Sequence, residues 1–190
     1  QGWNRIGLLD GWRNEKFDVA DVQGKPLFAL ERAAFRPLGL LSHAIHINGL
    51  SNEGGEWKFW IGKRSPYKAV DPNKLDNLVG GGVASGESIR EAMLREGGEE
   101  AGLDAAQLAD ASYCGCCLSI RHVSRGLHRE KLHIFDVVLP PGLVPENQDG
   151  EVSGFVLMSP LALAEAMSEG RLMNDACLAT LDAFLRHGLL

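Results

Sequence analysis

Glu96, Glu99 and Glu100 stand at i, i+3 and i+4, so on a helix they share one face within a single turn. Without a counter-ion that arrangement is repulsive. The same turn holds Gly97 and Gly98, each costing roughly 1 kcal/mol against Ala inside a helix. Acidic side chains at a helix C-terminus also oppose its dipole. Three local penalties in one turn point to a purpose beyond folding. A hard divalent cation would relieve the repulsion, and an oxygen-only ligand set selects Mg2+ or Mn2+. A bare E-x-x-E-E pattern is also what a solvated acidic face looks like, so the flanking residues must decide.

Those residues describe how the acids are positioned. Ser88 and Glu91 fit a capping box that starts the helix, and Gly102 is placed to end it in a left-handed conformation. Ile89, Ala92, Met93 and Ala101 form the opposite, apolar face, with Gly97 near it where a close backbone approach is useful. Around this helix the pattern predicts strands near residues 40–50, 57–63, 111–120, 131–139 and 152–158. Residues 64–76 read as loop, and residues 78–83 carry three consecutive glycines. Helices are predicted over 160–168 and 174–186. Residues 1–37, with Trp3, Trp12, Phe17, Leu27, Phe28 and Leu30 as scattered apolar anchors, read as a lead-in without its own core. The main domain is expected over 38–190, as an α+β or α/β/α layered fold.

Composition narrows the partners. The 190 residues are 45% hydrophobic and 23% charged, and 19 basic against 25 acidic residues leave a net charge of −6. No dense basic face for nucleic acid or anionic membrane is expected, so a phosphate-rich ligand must be met by a few local cations or a metal. No window approaches the ~20 apolar residues of a membrane span. The start lacks both a secretory core and an initiator Met, which reads as a fragment or a processed form. Cys114, Cys116 and Cys117, crowded into four positions on a predicted strand, suit buried thiols, and together with Cys177 they fit reduced cysteines and a cytoplasmic location.

The wider spacing, Gly81, Glu87, Arg95-Glu96, Glu99-Glu100 and Gly102-Leu103, resembles the Nudix box G-x5-E-x7-R-E-U-x-E-E-x-G-U. Only the first apolar position departs, being Gly97. The resemblance implies a Nudix fold, an α/β/α sandwich with a mixed sheet and a loop–helix–loop motif. It also implies metal binding by Glu96, Glu99 and Glu100, and hydrolysis of X–O–P–O–P compounds. Gly81 is expected to turn the chain before the helix, Arg95 to pair with Glu91 or Glu99, and Glu87 to brace the loop.

Further blocks are similar to one Nudix branch, related to the N-terminal half of yeast-type thiamine pyrophosphokinases. They include Gly11-Trp12-Arg13-Asn14-Glu15, Phe35-Arg36-Pro37-Leu38-Gly39, His46-Ile47-Asn48-Gly49, Trp60 to Ser65, Lys74 to Gly81, Asp149 to Val152 and Arg186 to Leu189. This second resemblance implies a small-molecule substrate, a thiamine-like diphosphate (notably a damaged form such as oxothiamine diphosphate) cleaved to its monophosphate, and it makes residues 1–37 the end of a longer N-terminal region. Lys63, Arg64, Lys68 and Lys74 place cations before the box; Lys63 and Arg64 are the expected diphosphate contacts, with His46, Gly81 and Gly82 as further expected pocket residues. The resemblance to Nudix proteins makes Glu151 a candidate added ligand or general base, against the plain reading of a loop carboxylate. His43 and His46, three apart on a strand, should face opposite ways. Three alternatives stay open: an ADP-ribose or dinucleotide pyrophosphatase, an isopentenyl diphosphate isomerase (which lacks its cysteine before the box here) and a non-catalytic binding module. Oligomeric state is left undetermined.

Overall fold

The computed structural model describes residues 2–68 and 70–189. In chain order the elements are α1 (Gly2–Arg5), β1 (Lys16–Ala20), β2 (Pro26–Glu31), α2 (Phe35–Leu38), β3 (Ser42–Glu53), β4 (Glu56–Arg64), β5 (Leu75–Asp76), β6 (Val79–Gly82), α3 (Ile89–Ala101), β7 (Ser112–Val123), β8 (Gly126–Val138), β9 (Val152–Met158), α4 (Pro160–Ser168) and α5 (Asn174–His187).

Alternation along β3 organises the rest. Ile45 and Ile47 face one way and join α3, Met93, Leu108 and Phe135 in one apolar layer. Leu50 faces the other way, where Phe59 and Ile61 of β4 meet Leu163 of α4 and Ala183 and Phe184 of α5. The expected α/β/α sandwich is therefore present, with a mixed seven-stranded sheet between the helices. Its strands run β5-β4-β3-β8-β7, with β6 also on β3 and β9 on β4. Only the β3–β8 pair is parallel among these pairings.

One edge of β3 is shared. Residues 44–47 pair with β6, and residues 49–53 pair with β4. Two partners on successive stretches of one edge must diverge, and the cleft described below lies between Arg64 at the end of β4 and Gly80–Gly82 of β6. The segment expected to be all loop contains the short strand β5, which pairs with Gly62 and Lys63. The lead-in forms the β1–β2 hairpin. Phe17 and Phe35 are buried edge-to-face, with ring centroids 5.5 Å apart, whereas Trp3, Leu27 and Phe28 are exposed, unlike the anchors their types suggested.

Candidate active site

The box helix starts and stops as its sequence dictates. Ser88 Oγ accepts from the Glu91 amide at 3.2 Å, and Glu91 accepts from the Ser88 amide at 2.8 Å. Gly102 closes α3 at φ 66°. Gly97 lies against Leu108, where a Cβ would fall 2.6 Å from a leucine methyl, so the unusual glycine at an apolar box position allows close packing. Gly81 does something other than turn the chain. It lies in β6, paired with Ile45, and a methyl there would overlap the Glu96 carboxylate. Its missing side chain is the hollow that receives Glu96. Gly82 makes room in the same way for the Phe17 ring and gives its carbonyl to Arg95 at 3.1 Å.

Arg95 knots the box together. It donates to both Glu87 oxygens at 2.8 and 2.9 Å, to Glu96 at 2.7 Å and to Glu99 at 3.2 Å. Glu91, the other expected partner, is spent on the cap. Glu96 and Glu100 point inward, with side chains 12% and 6% exposed, while Glu99 is 51% exposed. The three box acids do not close to within 4.8 Å of one another. Burial raises the Glu96 carboxyl against the opposing pull of Arg95. Burial also pushes Glu100 up to about 8, although the Gly80 amide donates to it at 2.9 Å and Lys68 stands 3.7 Å away.

Of the cations before the box, Lys68 comes nearest the carboxylates of the cleft. Its ammonium lies between Glu100 and Glu151, with its side chain only 12% exposed. Burial lowers its pKa more than Glu100 raises it. Both shifts run against the ion pair because desolvating the two charges costs more than a 3.7 Å contact returns. Glu151 also approaches Arg13 at 3.6 Å, so the loop carboxylate proposed beside the box does reach the cleft. Arg64 lines the cleft too, bound to Asp76 at 2.8 Å and to the Val70 carbonyl at 2.9 Å. Lys63 does not: it is exposed on β4, outside the cleft lining, because neighbouring strand residues point to opposite sides. Lys74 pairs locally with Asp71 at 3.4 Å.

His46 lines the cleft and heads a buried polar chain. Its Nδ1 meets Asn77 Oδ1 at 2.8 Å; Asn77 donates to Asn48 at 3.0 Å and Thr180 at 3.1 Å; Asn48 donates to Asp136 at 3.0 Å. Arg186 and His187 close the chain on Asp136. The sequence blocks around His46, Asn77 and Arg186 are thus one network, each amide satisfied inside the sheet–α5 layer. His43 faces the other way, as strand alternation predicts, and its Nδ1 lies 2.9 Å from His133 Nε2.

A second charged knot gave no local sequence signal. Asp175, near the start of α5, is forked by Arg121 (2.8 Å to one oxygen) and accepts from Ser119 at 2.7 Å. His128 Nε2 lies 3.3 Å from it and 3.7 Å from Glu130, off the line of a good hydrogen bond. Among the described residues this trio is the one group of potential ligands gathered within 4.8 Å, and Arg121 already neutralises it. The cysteines lie on β7 and α5 as free thiols, but half-buried or, for Cys116, exposed; Cys114 is the extra residue of a β-bulge.

Together these groups line a cleft of about 400 Å³ that combines inward carboxylates, flanking cations and a wall contributed by residues 11–36. The family model of the NUDIX domain matches residues 42–175. The chain belongs to this family. It is 38% identical over 187 residues to Nudix hydrolase 24, chloroplastic, and 35% identical to Nudix hydrolase 20, chloroplastic, both from Arabidopsis thaliana. Both alignments take in 97% of this chain but 51% and 50% of the relatives, so the chain spans about half their length. The fold is also that of the crystal structure of DR0079 from Deinococcus radiodurans, with a TM-score of 0.65, 22% identity, 89% of this chain and 98% of that one covered. The NUDIX domain of Shewanella oneidensis NrtR complexed with ADP ribose superposes with a TM-score of 0.58 at 14% identity, over 76% of this chain and 86% of that one.

Proposed function

We propose that this chain is a divalent-metal-dependent hydrolase of an organic diphosphate and that its substrate is a thiamine-diphosphate-like compound, converted to the monophosphate. The observation that carries the hydrolase reading is the buried, under-neutralised Glu100 beside Glu96 in its Gly81 hollow, at the foot of a cleft rimmed by Arg64 and Lys68. The donors there are all oxygen, which suits Mg2+ or Mn2+, and Glu96, Glu99 and Glu100 would hold the ion. When bound, such an ion polarises phosphate oxygens and lowers the pKa of water. Arg95 orients Glu96 and Glu99, Lys68 and Arg64 meet diphosphate charge, and Glu151 is the further carboxylate within reach of the reacting end.

The thiamine-like organic half rests on the sequence blocks shared with the thiamine-pyrophosphokinase-related branch. ADP-ribose is the second reading, favoured by the complex formed by NrtR's domain. We take the functional unit to include the lead-in as well as residues 38–190, because Arg13, Glu15 and Phe17 line the same cleft. Free thiols favour a reducing compartment; the cytoplasm suits that, as does the plastid to which the two Arabidopsis relatives are assigned by name. No described helix is long and apolar enough to cross a membrane. The test is formation of monophosphate products, separated by chromatography, from a panel of thiamine, oxothiamine, ADP-ribose and dinucleotide diphosphates at fixed Mg2+, ranked by kcat/KM. Thiamine-type compounds should lead; a leading ADP-ribose would transfer the assignment, and no turnover of any diphosphate would end the hydrolase reading.

A further inference from the structure

The cleft's cations are unequally provided for. Arg13, Arg32, Arg64, Lys68 and Arg95 each lie within 3.7 Å of a carboxylate. Arg36 and Arg125 also line the cleft, yet neither forms an ion pair with a described residue, and Arg125 has only a long hydrogen bond, 3.4 Å, to the Asp10 carbonyl. They come from elements far apart in sequence. Arg36 is on α2, and its carbonyl packs so tightly on Gly126, φ 127°, that no Cβ fits there. Arg125 immediately precedes that glycine at the β7–β8 turn. The contact brings the two residues together, both line the cleft, and their like charges act on each other.

Nearby carboxylates do not neutralise the pair. Glu130 attracts Arg36 from beyond ion-pair distance, its oxygens directed to Ser42 at 2.7 Å and toward His128 at 3.7 Å, and Asp175 is taken by Arg121. Arg36 pays for this placement: burial, then Arg125, loosens its proton. Two half-buried guanidiniums offer several donors and no acceptor, a fork that matches an oxyanion.

We propose that Arg36 and Arg125 form an oxyanion subsite on α2 and the β7–β8 turn, separate from the glutamates of α3. Its ligand is a phosphate or carboxylate, either carried on the organic half of the substrate or supplied as free phosphate. The substrate source rests on the hydrolase reading; the binding site does not.

The test has two arms on the full chain. In the first, inorganic phosphate is titrated against sodium chloride of equal ionic strength, without divalent metal, and Tm is followed. Phosphate should raise the Tm of the parent and of the exposed-lysine control Lys63→Gln, and the rise should vanish in Arg36→Gln and Arg125→Gln. In the second, KM is compared for a diphosphate bearing an additional phosphate or carboxylate and for its counterpart without one. Arg125→Gln should raise the first KM ~10-fold, the scale of one hydrogen bond to a charged group, and leave the second KM and both kcat values in place. Arg125, at a turn, keeps the test usable where Arg36→Gln disturbs α2. An effect in the phosphate arm alone assigns the subsite to the free anion; an effect in the substrate arm alone assigns it to the substrate's own group. Phosphate stabilisation that survives both substitutions, or no differential effect in either arm, overturns the subsite. Phosphate binding with no hydrolysis of any diphosphate would remove the hydrolase reading and leave the subsite standing.

Discussion

Glu100 and Asp175 line the same cleft and are both nearly inaccessible, yet the protein treats them oppositely. Burial pulls the Asp175 pKa upward, yet the adjacent His128 ring, an arginine fork and a serine hydroxyl hold it well below the ordinary range, the last two by direct hydrogen bonds. Glu100 receives one backbone amide and a distant lysine, and burial wins. The contrast separates a carboxylate whose charge is already spent on the fold from one whose charge is left for a ligand. Burial alone would not distinguish them; the partner count does.

The largest expected effect lies on the spent side. Asp175→Asn leaves Arg121 without its buried counter-ion and loosens α5 from the β7–β8 hairpin, and breaking such a pair costs about 3 kcal/mol. Urea unfolding at neutral pH should show that loss whether or not Mg2+ is present. A variant as stable as the parent would dissolve the distinction between the two acids.

Glu100→Gln should do the reverse. It removes a charge that the fold does not favour, so unfolding stability should hold or rise, while turnover falls at least ~100-fold, equivalent to about 2.7 kcal/mol in the transition state. Parent-like turnover in both Glu99→Gln and Glu100→Gln would refute the metal assignment. Gly81→Ala tests the same region through shape. The added methyl overlaps the Glu96 carboxylate and must displace it, so turnover should drop by up to ~100-fold, the penalty that a misplacement of about 1 Å can carry. The stability loss should stay within the overpacking range of about 1–3 kcal/mol. Unchanged kinetics would mean that Glu96 tolerates another position.

The two regions also differ in how far the sequence discloses them. The box is local: its cap, carboxylates and closing glycine fall within residues 81–103, and helical periodicity alone places them. β9 and α4 fall at their expected bounds for the same reason, each being a short periodic run between turn signals. The Asp175 knot joins positions 54 and 56 residues apart, and no spacing rule reaches across that interval. Lys68 sits in a loop without periodicity, so nothing local ranked it above Lys63, and only the folded loop carries it to Glu100. Gly81 shows a subtler limit. Its identity was legible, but its purpose was misread as a turn, because the side chain it accommodates arrives from a helix that begins eight residues later.

The smallest effect is a matter of pH, and its sign follows from the same contrast. The folded-state pKa of Asp175 is depressed below its ordinary value of 3.8. The unfolded chain therefore takes up a proton first as pH falls, and the stabilisation from this residue is present above 3.8 and fades progressively below it. Parent and Asp175→Asn should accordingly differ in unfolding free energy by a nearly constant amount from pH 7 to pH 5, and the gap should narrow between pH 4 and pH 3. Urea melts at those four values measure it directly. A gap that stayed constant to pH 3 would mean that the Arg121 fork contributes through geometry and packing, with little of its strength in the carboxylate charge, and the division between spent and available acids would then have to be drawn from contacts alone.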